Sequence, residues 1–193
     1  MDYFEATIAR ILEEQGYWVR ENVRVALARD VKKSLGKGSL PRCEIDIVAY
    51  QPRKKRLVLF EVKSYLDSKG VQPADLLRTE WENNRYKLLT LPALQHAVRA
   101  ALLAEYCSQG LIPKNVQVRF GLAAGYIKVS NDKEVRRIAR LNRWVFLGPT
   151  EIARAIWSFA DLGYENSPFV LTAKLLRRHP SPLPTTKVKN AKT

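Results

Sequence analysis

Two runs decide how this chain is read: Glu44-Ile-Asp46-Ile-Val-Ala-Tyr50 and Leu57-Val-Leu-Phe-Glu61-Val-Lys63-Ser-Tyr65, joined by Gln51-Pro-Arg-Lys-Lys-Arg56. Both runs are rich in β-branched and aromatic residues, and the joint is short, basic and contains a proline. This spacing predicts two antiparallel strands about a turn near Pro52–Lys54. In the second run Leu57 and Leu59 share one side-chain parity, and Val58, Phe60 and Val62 share the other. The strand is apolar on both faces as far as Phe60 and then turns polar on one. That is the pattern of a central strand with Glu61 and Lys63, two residues apart, projecting together at one end of a sheet.

The first run carries Ile45, Ile47 and Ala49 on one parity and Glu44, Asp46 and Val48 on the other. Folding the two runs against each other brings Asp46 near Glu61. Two carboxylates at that distance repel unless positive charge sits between them. Lys63 can provide it, and so can a divalent cation. Hard oxygen ligands suit Mg²⁺ or Mn²⁺ better than zinc.

Outward from this pair, residues 2–15 read as a helix. Phe4, Ile8, Ile11 and Leu12 recur at helical spacing, and Gly16 follows as a stop. Glu5 lies at the rim of that apolar stripe and is expected to face the sheet. Residues 17–25 alternate as a strand. Residues 28–42 hold Arg29, Lys32, Lys33, Lys37 and Arg42 among glycines, which reads as a basic loop placed to contact DNA. Beyond Tyr65 the spacing predicts helices over 73–89 and 92–109, a strand over 116–127, a helix over 131–141 and a short strand over 143–147. Helices over 150–162 and 168–178 complete the pattern. Asn131 and Glu134 stand at capping-box spacing. The order αβββααβαβαα predicts an α/β fold, a mixed central sheet flanked by helices. A core domain is expected over 1–148, a helical extension packed on it over 149–178, and a disordered basic tail over 179–193.

The chain has 193 residues, with 33 Lys+Arg against 19 Asp+Glu, a net charge of +14 and a pI near 10.0. Its hydrophobic share of 46% is enough for one ordinary core and excludes a disordered basic protein. The charge favours a polyanion as partner, nucleic acid first and an anionic membrane surface second. Two distant cysteines, Cys43 and Cys107, make neither a zinc cluster nor a disulfide framework, so a reducing, cytoplasmic setting is expected. No apolar run approaches the roughly 20 residues of a membrane span, and the first residues lack the basic start of a signal peptide.

Glu5, Gly16 closing the first helix, Ile45-Asp46-Ile47 and Phe60-Glu61-Val62-Lys63 together resemble the PD-(D/E)xK nuclease superfamily, which includes restriction endonucleases and archaeal Holliday-junction resolvases. Ile45 stands where the name-giving proline would. The motifs cover residues 2–65, and the element order extends the likeness to about 148. The resemblance implies a restriction endonuclease-like αβββαβ core with extra C-terminal helices. It implies a Mg²⁺- or Mn²⁺-dependent phosphodiesterase acting on DNA. Asp46, Glu61 and the Val62 carbonyl would hold the metal, helped by Glu5 directly or through water. Lys63 would orient or deprotonate the attacking water and stabilise charge in the transition state. Gln72 and Gln95 are both open as the glutamine that some members carry. Many members dimerise to cut both strands, and residues 150–178 would offer a homodimer interface.

Other features have plainer readings. An Glu-x-Lys triplet alone is common on charged proteins. A first-turn Glu5 also complements the helix dipole. The turn 52–56 lies at the far end of the strands from Glu61 and reads as solvated surface. Arg78, Trp81, Arg85, Tyr86 and Lys87 mix cations and aromatics on one predicted helix, a composition found in nucleic-acid binding and also in cores. Trp144 and Trp157 read as core, and His96 and His179 lack partners at metal-ligand spacing. The runner-up function is a nucleic-acid-binding module that keeps the fold without catalysis.

Overall fold

The structure, a computed structural model, describes residues 2–36, 38 and 42–179. Lys37 and the tail beyond His179 lie outside the described residues, and so do the expectations placed on them. The chain divides into two compact units, Met1–Ile152 and Ala153–Thr193.

The first unit opens with α1 (Tyr3–Glu14), capped by Asp2, whose carboxylate accepts from the Phe4 and Glu5 N–H groups at 2.7 and 3.4 Å. Then come β1 (Trp18–Val25), α2 (Arg29–Ser34), β2 (Cys43–Gln51) and β3 (Arg56–Lys63). The basic segment after β1 is therefore not a plain loop. Its first half winds into α2, because Val31 and Leu35 have an apolar cluster to pack against. After α3 (Lys87–Thr90) and α4 (Pro92–Ser108) follow β4 (Gln117–Ala124), α5 (Val129–Leu141), β5 (Val145–Leu147) and α6 (Pro149–Ser158). The second unit holds the end of α6, a 3-10 turn at Phe159–Asp161 and α7 (Pro168–Arg178).

The sheet is five-stranded in the order β1-β2-β3-β4-β5. The first three strands are the expected antiparallel meander, and β3, β4 and β5 run parallel. This is an α/β fold with a mixed sheet flanked by helices, and β3 is its central strand. Leu57, Val58, Leu59 and Phe60 are each 0% exposed, as a strand covered on both faces requires. α1 lies against β1, β2 and β3. α4 brings Leu94, Val98, Leu102 and Tyr106 to a cluster with Leu57 and Leu59, and α5 adds Val135 and Ile138 to one with Leu122 and Ala124. Gly121 pairs with Phe60, and a Cβ there would meet the Phe60 ring at 2.5 Å, so only glycine fits. Among the described residues no helix is long and apolar enough to cross a membrane.

Three local expectations are corrected. Residues 73–89 are not one helix but a 3-10 turn (Pro73–Leu77), an irregular stretch and then α3. The cause is Asn84, 5% exposed. Its amide donates to the Arg78 and Glu80 carbonyls and to Thr90 Oγ1, and its Oδ1 accepts from the Tyr86 N–H. A side chain that satisfies this much backbone replaces the helical ladder. The Asn131–Glu134 capping box is also not made. α5 starts two residues earlier, Asn131 donates instead to Gln72 Oε1 at 3.1 Å, and Glu134 pairs with Arg137. Trp157 is 54% exposed rather than core.

Candidate active site at the fork of two strands

The pairing of β2 with β3 runs from Gln51↔Arg56 to Ile47↔Phe60 and stops there, while β2 continues beside β1 as far as Cys43↔Val25. The two strands fork at Asp46. The two-residue alternation also slips at this point. Ile45 and Val48, on opposite parities, both belong to the cluster with Leu57 and Leu59. Asn22, flanked by the pairs Glu21↔Ile47 and Val23↔Ile45, is left-handed at φ 53° and stands across β1 from Asp46. The slip turns the Asp46 side chain toward β3. Its Oδ2 accepts from the Val62 N–H at 2.7 Å, taking the place of a strand carbonyl. Plain alternation, which puts Asp46 on one face with Glu44 and Val48, does not hold here.

Glu61 and Lys63 close the other side of the fork. Lys63 Nζ lies 2.6 Å from Glu61 Oε1 and 3.7 Å from Asp46 Oδ2, so one ammonium bridges both carboxylates. The three side chains are 14–22% exposed, with Glu61 the deepest. Burial raises the Glu61 pKa above the ordinary value, and the nearby Asp46 charge adds to this while Lys63 opposes it. Burial would lower Lys63, but the Glu61 and Asp46 charges outweigh it and hold the amine above its usual range. The ammonium is therefore firmly charged.

Glu5, half-buried on α1, senses the same group. Burial first, then the Asp46 and Asp2 charges, push its pKa up to about 7 against a lowering pull from Lys63. Cys43 also sits here, pushed up to about 11 by burial and then by the Glu61 and Asp46 charges, so its thiol stays protonated. Among the described residues no three His, Cys, Asp or Glu side chains stand together as a ready metal cage. The donors at the fork are two carboxylates, with Glu5 near enough to act on them electrostatically.

Glu61 also lines a cavity of about 360 Å³ that it shares with Arg42, Cys43, Trp81, Arg85 and Lys87. Lys87 Nζ lies 5.3 Å from the centre of the Trp81 ring. Of the five cations expected to contact DNA, Arg42 lines this cavity. Arg29, Lys32 and Lys33 stand on α2 and do not line it. Trp81, Arg85 and Lys87 come to the site from the irregular stretch around Asn84 and from α3, not from the single helix expected. Their mixed composition was a signal, but nothing in the spacing showed where the chain would carry them. The two candidate glutamines serve the scaffold. Gln72 donates to the Lys69 and Gly70 carbonyls, and Gln95 donates to the Leu89 carbonyl at 2.6 Å.

No family model and no curated protein matches the chain. Among solved structures, one described as the crystal structure of protein of unknown function AF1548 is similar at TM-score 0.46 and 16% identity, over 91% of this chain and 77% of that one.

Proposed function

We propose that this protein is a divalent-cation-dependent nuclease that hydrolyses DNA phosphodiester bonds, of the PD-(D/E)xK type. The observation that supports it best is the fork itself. Asp46, Glu61 and Lys63 converge on one point, and Glu61 opens onto a cavity where Arg42, Arg85 and Lys87 outnumber the other acid, Glu44, which pairs with Arg24. Clustered acids facing a cationic wall suit a site where a cation mediates between carboxylates and phosphate.

The donor chemistry fits Mg²⁺ or Mn²⁺. Mg²⁺ is commonly held by one or two carboxylates and completes its shell with water and substrate phosphate, so the lack of a third acidic ligand is no obstacle. Asp46 and Glu61 would hold the ion with the Val62 carbonyl, and Glu5 would act on it through water. When bound, the ion supplies a water of lowered pKa and a clamp on phosphate oxygens. The chain's own residues do the rest. Lys63, kept charged by two carboxylates, stabilises negative charge developing at phosphorus and orients the attacking water. Arg42, Arg85 and Lys87 hold the flanking phosphates.

A nucleic-acid-binding module without catalysis is the second reading. It has one observation in its favour: Lys63 already bridges both carboxylates, which could stand as a purely structural ion triad. Plasmid, linear, branched and single-stranded DNA incubated with Mg²⁺ or Mn²⁺ separate the two readings. The nuclease reading expects cation-dependent cleavage that Asp46→Asn and Lys63→Ala abolish while binding persists. Binding with no cleavage of any of these substrates selects the module.

A further inference from the structure

The end of the sheet away from Asp46 and Glu61 gathers cations without acids. Arg56 opens β3, Arg119 lies in β4, Arg140 is in the last turn of α5, and Arg143 follows it. With Trp144 they line a cavity of about 460 Å³. Main-chain bonding fixes these segments side by side. The Gln117 N–H donates to the Lys55 carbonyl at 2.8 Å, Arg56 pairs with Gln117, and Gly121 pairs with Val145. The same edge therefore carries Arg53, Lys54 and Lys55 of the β2–β3 turn. Residues 52–56, 113–119 and 139–145 contain no Asp or Glu.

Several arginines elsewhere are neutralised by acids. Arg24, Arg78, Arg136, Arg137 and Arg177 each pair with a carboxylate. None of the four cavity arginines has an ion pair with a described carboxylate, and the Arg56 Nε is buried without a hydrogen-bond partner. The C-terminal dipole of α5 accounts for Arg140 and Arg143. It does not account for Arg56 and Arg119, which stand on strands. Like charges at this spacing repel, and an anion that accepts from several guanidiniums relieves them.

We infer that this edge is a second nucleic-acid contact that grips the phosphodiester backbone, seven residues along β3 from Lys63, or ~23 Å at ~3.3 Å per residue. The cations run past the cavity onto the 53–55 turn, a footprint wider than one small anion needs. Guanidiniums from three separate elements suit successive phosphates of a chain. The contact stands whether or not the fork is catalytic.

The test is fluorescence anisotropy of a labelled 20-base-pair duplex with EDTA present, between 50 and 200 mM salt. Arg140→Gln/Arg143→Gln removes two exposed arginines of the cavity. Arg137→Gln/Arg177→Gln removes the same charge from arginines already paired. The first double should reduce the log–log salt slope by roughly 1.8, at ~0.9 per phosphate, so the affinity lost across that salt range shrinks about tenfold. The second should leave the slope near that of the parent. Equal losses in both doubles would mean that only net charge matters, and no loss in either would mean that the edge does not touch DNA. Either result overturns the inference. Capture of phosphatidylserine vesicles that depends on Arg140 and Arg143, with an unchanged DNA slope, would assign the edge to membranes and overturn it too. A protein that passes this test yet cuts nothing keeps the second contact and loses the nuclease reading.

Discussion

Asp46 does two jobs that two substitutions pull apart. Its Oδ2 accepts from the Val62 N–H at 2.7 Å, and its charge lies 3.7 Å from Lys63 Nζ. Asp46→Ala leaves that N–H, where β3 no longer pairs with β2, without an acceptor. Val62 is 6% exposed, so little water replaces the bond. Losing a hydrogen bond to a charged group costs about 1.5–3 kcal/mol. For a chain of this size that is roughly 3–12 °C in melting temperature, at about 2–4 °C per kcal/mol. Asp46→Asn keeps a carbonyl oxygen for Val62 and loses only the charge, so it should melt within about 1 kcal/mol of the parent, in the manner of a partly exposed ion pair. Both variants should lose cation-dependent cleavage completely. Urea or thermal unfolding, run beside a plasmid-cleavage assay, reads both quantities on the same preparations. Equal melting of Asp46→Ala and the parent would refute the idea that this carboxylate completes the strand. Cleavage surviving in Asp46→Asn would refute the site.

Other perturbations probe the frame around the fork. Gly125 donates its N–H to the Lys63 carbonyl at 2.8 Å, and a Cβ there would meet the Ser64 carbonyl at 2.5 Å. Gly125→Ala should therefore cost about 1–3 kcal/mol in unfolding measurements and lower cleavage by shifting Lys63, whereas Gly163→Ala, in open space, should leave cleavage alone. Asn84→Ala strands several backbone partners at about 1–3 kcal/mol for each group left unsatisfied. It should loosen the segment that carries Trp81, seen as faster hydrogen exchange over residues 78–90. Arg136 forms a bidentate pair with Glu151 at 2.7 and 3.0 Å and holds that carboxyl below its ordinary range. The stabilisation is present above the unfolded carboxylate value and lost as pH falls through the lower folded one. Glu151→Gln should accordingly flatten the acid side of the stability–pH curve below about pH 4.5.

What the sequence made legible follows from where local rules hold. Strand β3 could be read because its burial is unbroken from Leu57 to Phe60 and its polar pair comes only at the end. Few other strands in a small sheet have that composition. The proximity of Asp46 and Glu61 followed from counting about a turn of known place. The slip at Asp46 was illegible, since it depends on Asn22, 24 residues earlier, adopting a left-handed backbone opposite it. Asparagine tolerates that conformation but does not announce it. The failure over residues 73–89 is of another kind. The spacing was helical enough, yet one buried amide with four backbone or hydroxyl partners outcompeted it.

The charge of this protein has two ends, and they pose different problems. At the fork, acids sit among cations and are incomplete without positive charge. Lys63 supplies one such charge, firmly, and Glu61 remains raised in spite of it. Burial raises Glu61, and the Lys63 ammonium 2.6 Å away opposes that rise. At the far edge, Arg56 and Arg119 are cations without acids and are incomplete without negative charge. On the nuclease reading proposed above, a polyanion would meet the second deficit directly, and would meet the first with a metal ion between it and the carboxylates. The same partner can thus be held at one end of the sheet and approached chemically at the other.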